Sequence, residues 1–181
     1  MTDSSTPTGP ADHPFPAGDS TERISADRVM PAPPAEVFAV LCDPHGHVAM
    51  DSSGMLQSSA GDPVGAAGDR FIVHMDREAL GDVPLGKYDV EVEITRFEPD
   101  AAIEWTIHGT IKPPIGHVYG YLLDPVSTED DSPATRVTSY CDWSSAAEKW
   151  KPVFPVIDQK SLRASLGVLE RAVRRGYPRP E

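Results

Sequence analysis

Three residues with polar rings recur at every second position of the stretch 116–125: His117, Tyr119 and Tyr121. On a β-strand that spacing puts them on one face, about 7 Å apart along the chain. Such a stripe can grip one small molecule. It also holds the parts of an acid–base pair, with His117 as general base at neutral pH and Tyr119 or Tyr121 as donor to an oxyanion. The same rings can instead fill a core and bond to backbone or water. The opposite face carries Val118, Gly120 and Leu122, which have less bulk. On this pattern alone, either face can turn inward.

Other chemical constellations are weaker. His45 and His47 have a metal-like spacing, but no third ligand stands at a defined distance, so no metal is expected. Asp51 in "MDSSG" reads as a turn former, and Asp142, before Trp143 near a strand end, stands where a pocket rim could lie, though a plain structural place is favoured. There is no "GxSxG" nucleophile elbow, and Gly65, Gly68 and Gly81 do not make a phosphate-cradling loop. No cofactor is expected.

The elements that must position the stripe follow from periodicity. "RISADRVM" alternates as a strand ending at Met30. Pro34 opens a helix whose apolar positions are Val37, Phe38, Leu41 and Cys42, and Asp43-Pro44 ends it. A short second helical turn and a loop follow in "HGHVAMDSSG", then a short strand in "MLQSSA". "GDRFIVHMD" places Phe71, Val73 and Met75 on one face. In "KYDVEVEITRFEP", Tyr88, Val90, Val92 and Ile94 oppose Asp89, Glu91 and Glu93. The acidic face must be outside, because unpaired buried carboxylates are costly. Ile103, Trp105 and Ile107 face inward in the next strand by the same logic. "ATRVTSYCDW" completes the run after the hairpin loop "STEDDSPA". The closing helix carries Leu162, Leu166, Leu169 and Val173 on one stripe, and Gly176 and Pro178 end it. Strands joined by short turns predict an antiparallel sheet, and the last helix lies across its concave face.

Composition bounds the function. The 181 residues suit one domain, and 39% are hydrophobic. No run approaches the roughly 18 apolar residues of a membrane span, so no stable membrane insertion is expected. A net charge of -12 argues against nucleic acid or an anionic lipid surface as main partner. Residues 1–22, rich in Pro, Ser and Thr and without Lys or Arg, are expected to be a disordered tail before a domain over 23–176. The tail has no basic or apolar signal region, and Cys42 and Cys141 read as reduced, buried thiols, so a cytoplasmic protein is expected.

The order and spacing of "ISADRVMPAPPAEVFAVLCDP", "GDRF", "ITRFEPDAAIEWTI", "TRVTSYCDW" and "LRASLGVLERAV" resemble the START-like (SRPBCC) superfamily of helix-grip proteins. That superfamily includes the Bet v 1-like and polyketide cyclase/dehydrase-like families. "MDSSG", "HMDREALGDVPLGKYDV" and "HVYGY" look most like uncharacterised actinobacterial-type members. The resemblance implies an α+β helix-grip fold, with a curved antiparallel sheet wrapped around the C-terminal helix and an apolar pocket between them. It also favours the inward placement of His117, Tyr119, Tyr121 and Leu123, because relatives alternate aromatic residues up to a Leu-x-Pro here.

The implied lining is Val73, Met75, Tyr88, Val90, Val92, Trp105, Ile107, His117, Tyr119 and Tyr121 from the sheet, with Leu162 and Leu166 from the helix. Two unusually apolar loops are read as a gate over the mouth: one holds Leu80, Val83 and Leu85, the other Trp150 and Phe154. The leading functional reading is binding of a small hydrophobic molecule, lipid- or polyketide-like. A polyketide cyclase, aromatase or dehydratase using His117 with Tyr119 or Tyr121 comes second, and a protein-interaction or co-chaperone-like module third.

Overall fold

A computed structural model describes residues 21–78, 80–81 and 84–179. The elements run β1 (Arg23–Met30), α1 (Pro34–Cys42), α2 (Pro44–Met50), β2 (Leu56–Ala60), β3 (Arg70–Asp76), β4 (Lys87–Glu98), β5 (Ala102–His108), β6 (Val118–Val126), β7 (Ala134–Asp142) and α3 (Gln159–Arg175). A single 3-10 turn, Lys151–Val153, precedes α3. The seven strands form one antiparallel sheet in the order β1-β7-β6-β5-β4-β3-β2. Most of the expected tail lies outside the described residues. Its last residue, Glu22, belongs to the fold: its carbonyl accepts the Trp143 N–H at 2.9 Å, and its carboxylate pairs with Lys151 at 3.1 Å.

Each helix starts where its sequence permits. Pro34 takes a first-turn position of α1, where its missing N–H costs nothing. Asp43 ends α1 and at once N-caps α2, accepting the His45 N–H at 2.9 Å. Asp158 caps α3 through the Ser161 N–H at 2.7 Å. On α3, Leu162, Leu166, Leu169 and Ala172 are buried and Val173 partly so, as the apolar stripe requires. Each buried leucine contributes about 2 kcal/mol of apolar transfer.

Parity along the sheet holds where the sequence placed it. Val90, Val92 and Ile94 are buried, while Glu91 and Glu93 lie outside in ion pairs with Arg70. The register between β4 and β5 shifts between Ile94 and Arg96. That bulge turns Phe97 back inward, onto the edge of Phe38 at 5.3 Å. On β6, Tyr121 and Leu123 are buried in the core. The opposite face holds Gly120 because Tyr140 lies across it: a Cβ there would sit 2.3 Å from the Tyr140 ring. The Tyr140 hydroxyl donates to Glu104 at 2.9 Å, and the Arg23 guanidinium covers its ring at 3.9 Å.

After α3 the chain turns back onto the helix junction. Tyr177 Oη and Arg179 Nε each donate to the buried Asp43 carboxylate at 2.8 Å. Burial works to raise the Asp43 pKa, but the Tyr177, His45 and Arg179 contacts outweigh it and hold the group below the ordinary carboxylate value. Cys42 and Cys141 are free and buried. Burial pushes their thiols up to about 11 and about 12, so neither is reactive at neutral pH.

Candidate functional site

The inner surface of the sheet has a covered half and an uncovered half. In the covered half, Trp105 stacks on Tyr121 with ring centres 5.7 Å apart. His47 of α2 meets Trp105 edge-on at 4.6 Å and Phe71 at 4.8 Å. Its Nε2 donates to the Leu41 carbonyl at 2.8 Å. Burial lowers the His47 pKa to about 4, against the Leu41 bond and the Asp43 charge, so the ring is neutral. Val73, Val90, Val92, Leu162 and Leu166 are buried in the same core. His45, the other half of the supposed metal pair, bonds through Nδ1 to Ser59 Oγ at 3.0 Å.

At the other end Met75, Tyr88, Ile107, Tyr119 and Ile157 face the same interior but are only partly buried. Strand pairing groups them: Met75 lies opposite Tyr88, and Trp105 opposite Tyr119. A groove of about 490 Å³ opens beside Met75 and Tyr88, with Gln57, His74, Asp76, Lys87 and Asp89 completing its wall. It lies at the rim, over the ends of β2, β3 and β4, and includes just two residues of the expected pocket lining. Burial first, then the adjacent Cys141 thiol, raises the Tyr119 pKa, while Arg77 acts in the opposite sense.

His117 immediately precedes β6 and stands at this end. Its ring meets Tyr119 edge-on at 5.3 Å and Phe154 at 5.1 Å, and Phe154 stacks on Trp143 at 5.4 Å. Burial alone lowers the His117 pKa to about 4. Its Nδ1 is buried with no hydrogen-bond partner among the described residues, and so is Trp150 Nε1. Of the loop residues read as a gate, Phe154 is held in this aromatic cluster, Trp150 is half-buried, and Leu80 and Leu85 stand exposed. Val83 lies outside the described residues. Asp51 and Asp142 are turn formers, accepting the N–H groups of Ser53 and Ser144 at 2.9 Å each.

Sequence reasoning missed His47, Phe97 and Trp143. Trp143 follows Cys141 by two and so shares its inward face, a signal that was present. For His47 the signal is its place one turn into α2, directly after the apolar helix α1, which its polar residue type obscures.

No family model matches the chain. It is 28% identical over 125 residues to the uncharacterized protein Rv0088 of Mycobacterium tuberculosis, a match spanning 68% of this chain and 49% of that protein. The chain thus covers about half the length of that curated relative. Among solved structures, protein Ms6760 from Mycobacterium smegmatis superposes with a TM-score of 0.59 at 17% identity, covering 87% of this chain and 94% of that one. Norcoclaurine synthase from Thalictrum flavum gives 0.51 at 16% identity, covering 84% and 93%. With a seven-stranded curved sheet, two short helices after the first strand and a long C-terminal helix, this chain has the Bet v 1-like helix-grip fold.

Proposed function

We propose that the protein binds a small, uncharged hydrophobic molecule that enters between the sheet and α3 at the uncovered end. One observation carries this reading: five inward-facing apolar or aromatic residues, Met75, Tyr88, Ile107, Tyr119 and Ile157, stay only partly buried at one end, while Val73, Val90, Val92, Ile94 and Ile103 further along the same strands are buried. A concave, mostly apolar surface with a few polar groups is the usual small-molecule site. His117 supports the polar part, because a buried imidazole nitrogen without a partner among the described residues costs free energy that a ligand hydroxyl or carbonyl would recover. Val73, Val90, Val92, Trp105, Tyr121, Leu162 and Leu166 would form the floor rather than the first contact.

The pKa of His117 favours binding over catalysis. An imidazole that protonates at about 4 is a weak general base at neutral pH, where efficient bases titrate near the working pH. The enzyme reading keeps one support: a norcoclaurine synthase variant of the same fold has been solved with a transition state analogue. The test is a titration with an apolar dye and with uncharged polycyclic phenols, in wild type and His117→Ala. Saturable binding weakened about tenfold by His117→Ala is expected, as one lost buried hydrogen bond implies. Binding unchanged by the substitution removes His117 from the site, and wild type without saturable binding removes the reading.

A further inference from the structure

Trp150 is turned the wrong way for a tryptophan near a surface. The residue is half-buried, yet its one polar side-chain atom, Nε1, is buried with no hydrogen-bond partner among the described residues. Whatever of the side chain meets solvent is therefore carbon. A half-buried indole ordinarily does the reverse, sinking its carbon edge and leaving the N–H to water or an acceptor. A buried donor without a partner gives up its bonds to water and gains none, and native proteins hold few such groups. The Lys149 ammonium, 5.5 Å over the ring, meets the π face and offers the N–H nothing.

This orphan donor belongs to the segment that borders the uncovered end. Between β7 and α3, the residues Trp143, Phe154 and Ile157 pack in one cluster with Tyr119. Trp150 stands one turn before Phe154: the Val153 N–H donates to the Trp150 carbonyl at 3.0 Å, and the Phe154 N–H to the Lys151 carbonyl at 3.1 Å. Phe154 lies 5.1 Å from the His117 ring, whose Nδ1 is the other buried side-chain atom without a partner among the described residues. Little holds the segment shut. From Ser144 to Ile157 it has no strand pairing, and its backbone bonds stay within the segment except that the Ala147 N–H reaches the Ile115 carbonyl at 3.1 Å. Lys151 adds ion pairs to Glu22 and Glu148. Phe154 and the turn before it can therefore shift without breaking the sheet, and such a shift opens Nε1 to a ligand.

We propose that Trp150 is a ligand-binding residue that selects an uncharged molecule bearing a carbonyl, its indole N–H donating to that carbonyl when the molecule lies at the uncovered end. The inference rests on the ligand reading above and adds the group by which the ligand is chosen. An indole N–H only donates, so its partner must be an acceptor. A carbonyl accepts while keeping the molecule neutral, whereas a carboxylate drawn into an apolar interior is costly. A site with a donor waiting in place also discriminates well, because a molecule of the same shape without the acceptor leaves the donor unpaired.

Fluorenone and fluorene test it, two rigid tricyclic molecules of nearly one shape, the first with a carbonyl where the second has a methylene. The whole chain labelled with nitrogen-15 gives an indole N–H signal for each of Trp105, Trp143 and Trp150, assigned in the wild type. Fluorenone should move the Trp150 signal downfield and saturably, beyond any shift that fluorene causes. In parallel titrations, the ratio of fluorenone affinity to fluorene affinity should fall about tenfold in Trp150→Phe, as loss of one buried hydrogen bond implies. Fluorene binding itself should change little. The wild-type signal keeps the test independent of how well the variant folds. If both probes bind but fluorenone moves the Trp150 signal no further than fluorene does, the inference is overturned and the pocket stands. An affinity ratio unchanged by Trp150→Phe overturns it equally, as when an ordered water already holds the N–H. Binding of neither probe removes both the inference and the reading it rests on.

Discussion

The two halves of the inner sheet surface are built from similar residues and treated differently. In the covered half, His47 packs on Trp105 and Phe71, Trp105 stacks on Tyr121, Leu162 and Leu166 of α3 are buried in the same core, and Asp43 ties the chain beyond α3 to the helix junction. In the other half, Met75, Tyr88, Ile107 and Tyr119 carry the same kind of apolar and aromatic area without full cover. Buried apolar area stabilises; uncovered apolar area facing inward contributes little to folding and remains available to a ligand. The fold therefore grades from fully buried to partly covered apolar area along the strands rather than between domains.

Acid should break the comparison first, since both halves hold a neutral histidine. His47 and His117 protonate at about 4 in the fold, against an ordinary histidine value of 6.5. Between those values the unfolded chain binds more protons, so stability falls as pH drops from 6.5 towards 4 and is unaffected above 6.5. The slope should be about 1.4 kcal/mol per pH unit for each histidine. Urea unfolding across that window should show it, and His117→Phe should halve it.

Cavity variants separate the halves next. Trp105→Ala in the covered half should cost about 3–5 kcal/mol. Gly120→Ala should cost about 1–3 kcal/mol, because its Cβ would displace the Tyr140 ring. Tyr177→Phe removes one bond to a buried carboxylate and should cost about 1–2 kcal/mol. Ile107→Ala in the uncovered half should cost the least, under about 1 kcal/mol, judged against a full-burial scale. Calorimetric melting orders the four, and an Ile107→Ala loss matching that of Trp105→Ala would erase the distinction.

Much of this layout is legible in the residues. The strict alternation of 88–94, with three acids on one side, fixes which face is inside before any contact is seen. Beyond Ile94 the alternation fails, because one extra residue in a bulge reverses parity without changing composition, and Phe97 is lost to the reader there. The aromatic stripe of β6 was ambiguous because the smallness of Gly120 gives no hint that a neighbouring strand's tyrosine lies across it. Asp43 looked like a helix stop and is one, but its bonds to Tyr177 and Arg179 span more than a hundred residues, and no local pattern encodes them. The uncovered half was legible only as a list of inward residues, since cover depends on where α3 and the loops come to rest.

The central claim is that the uncovered end admits a ligand. Titration of wild type and Ile107→Trp with the neutral dye Nile red tests it most directly, with melting temperatures recorded for both. The account predicts saturable one-to-one binding by wild type and its loss in Ile107→Trp at an unchanged melting temperature. Equal binding by both proteins, or none by wild type, would contradict it.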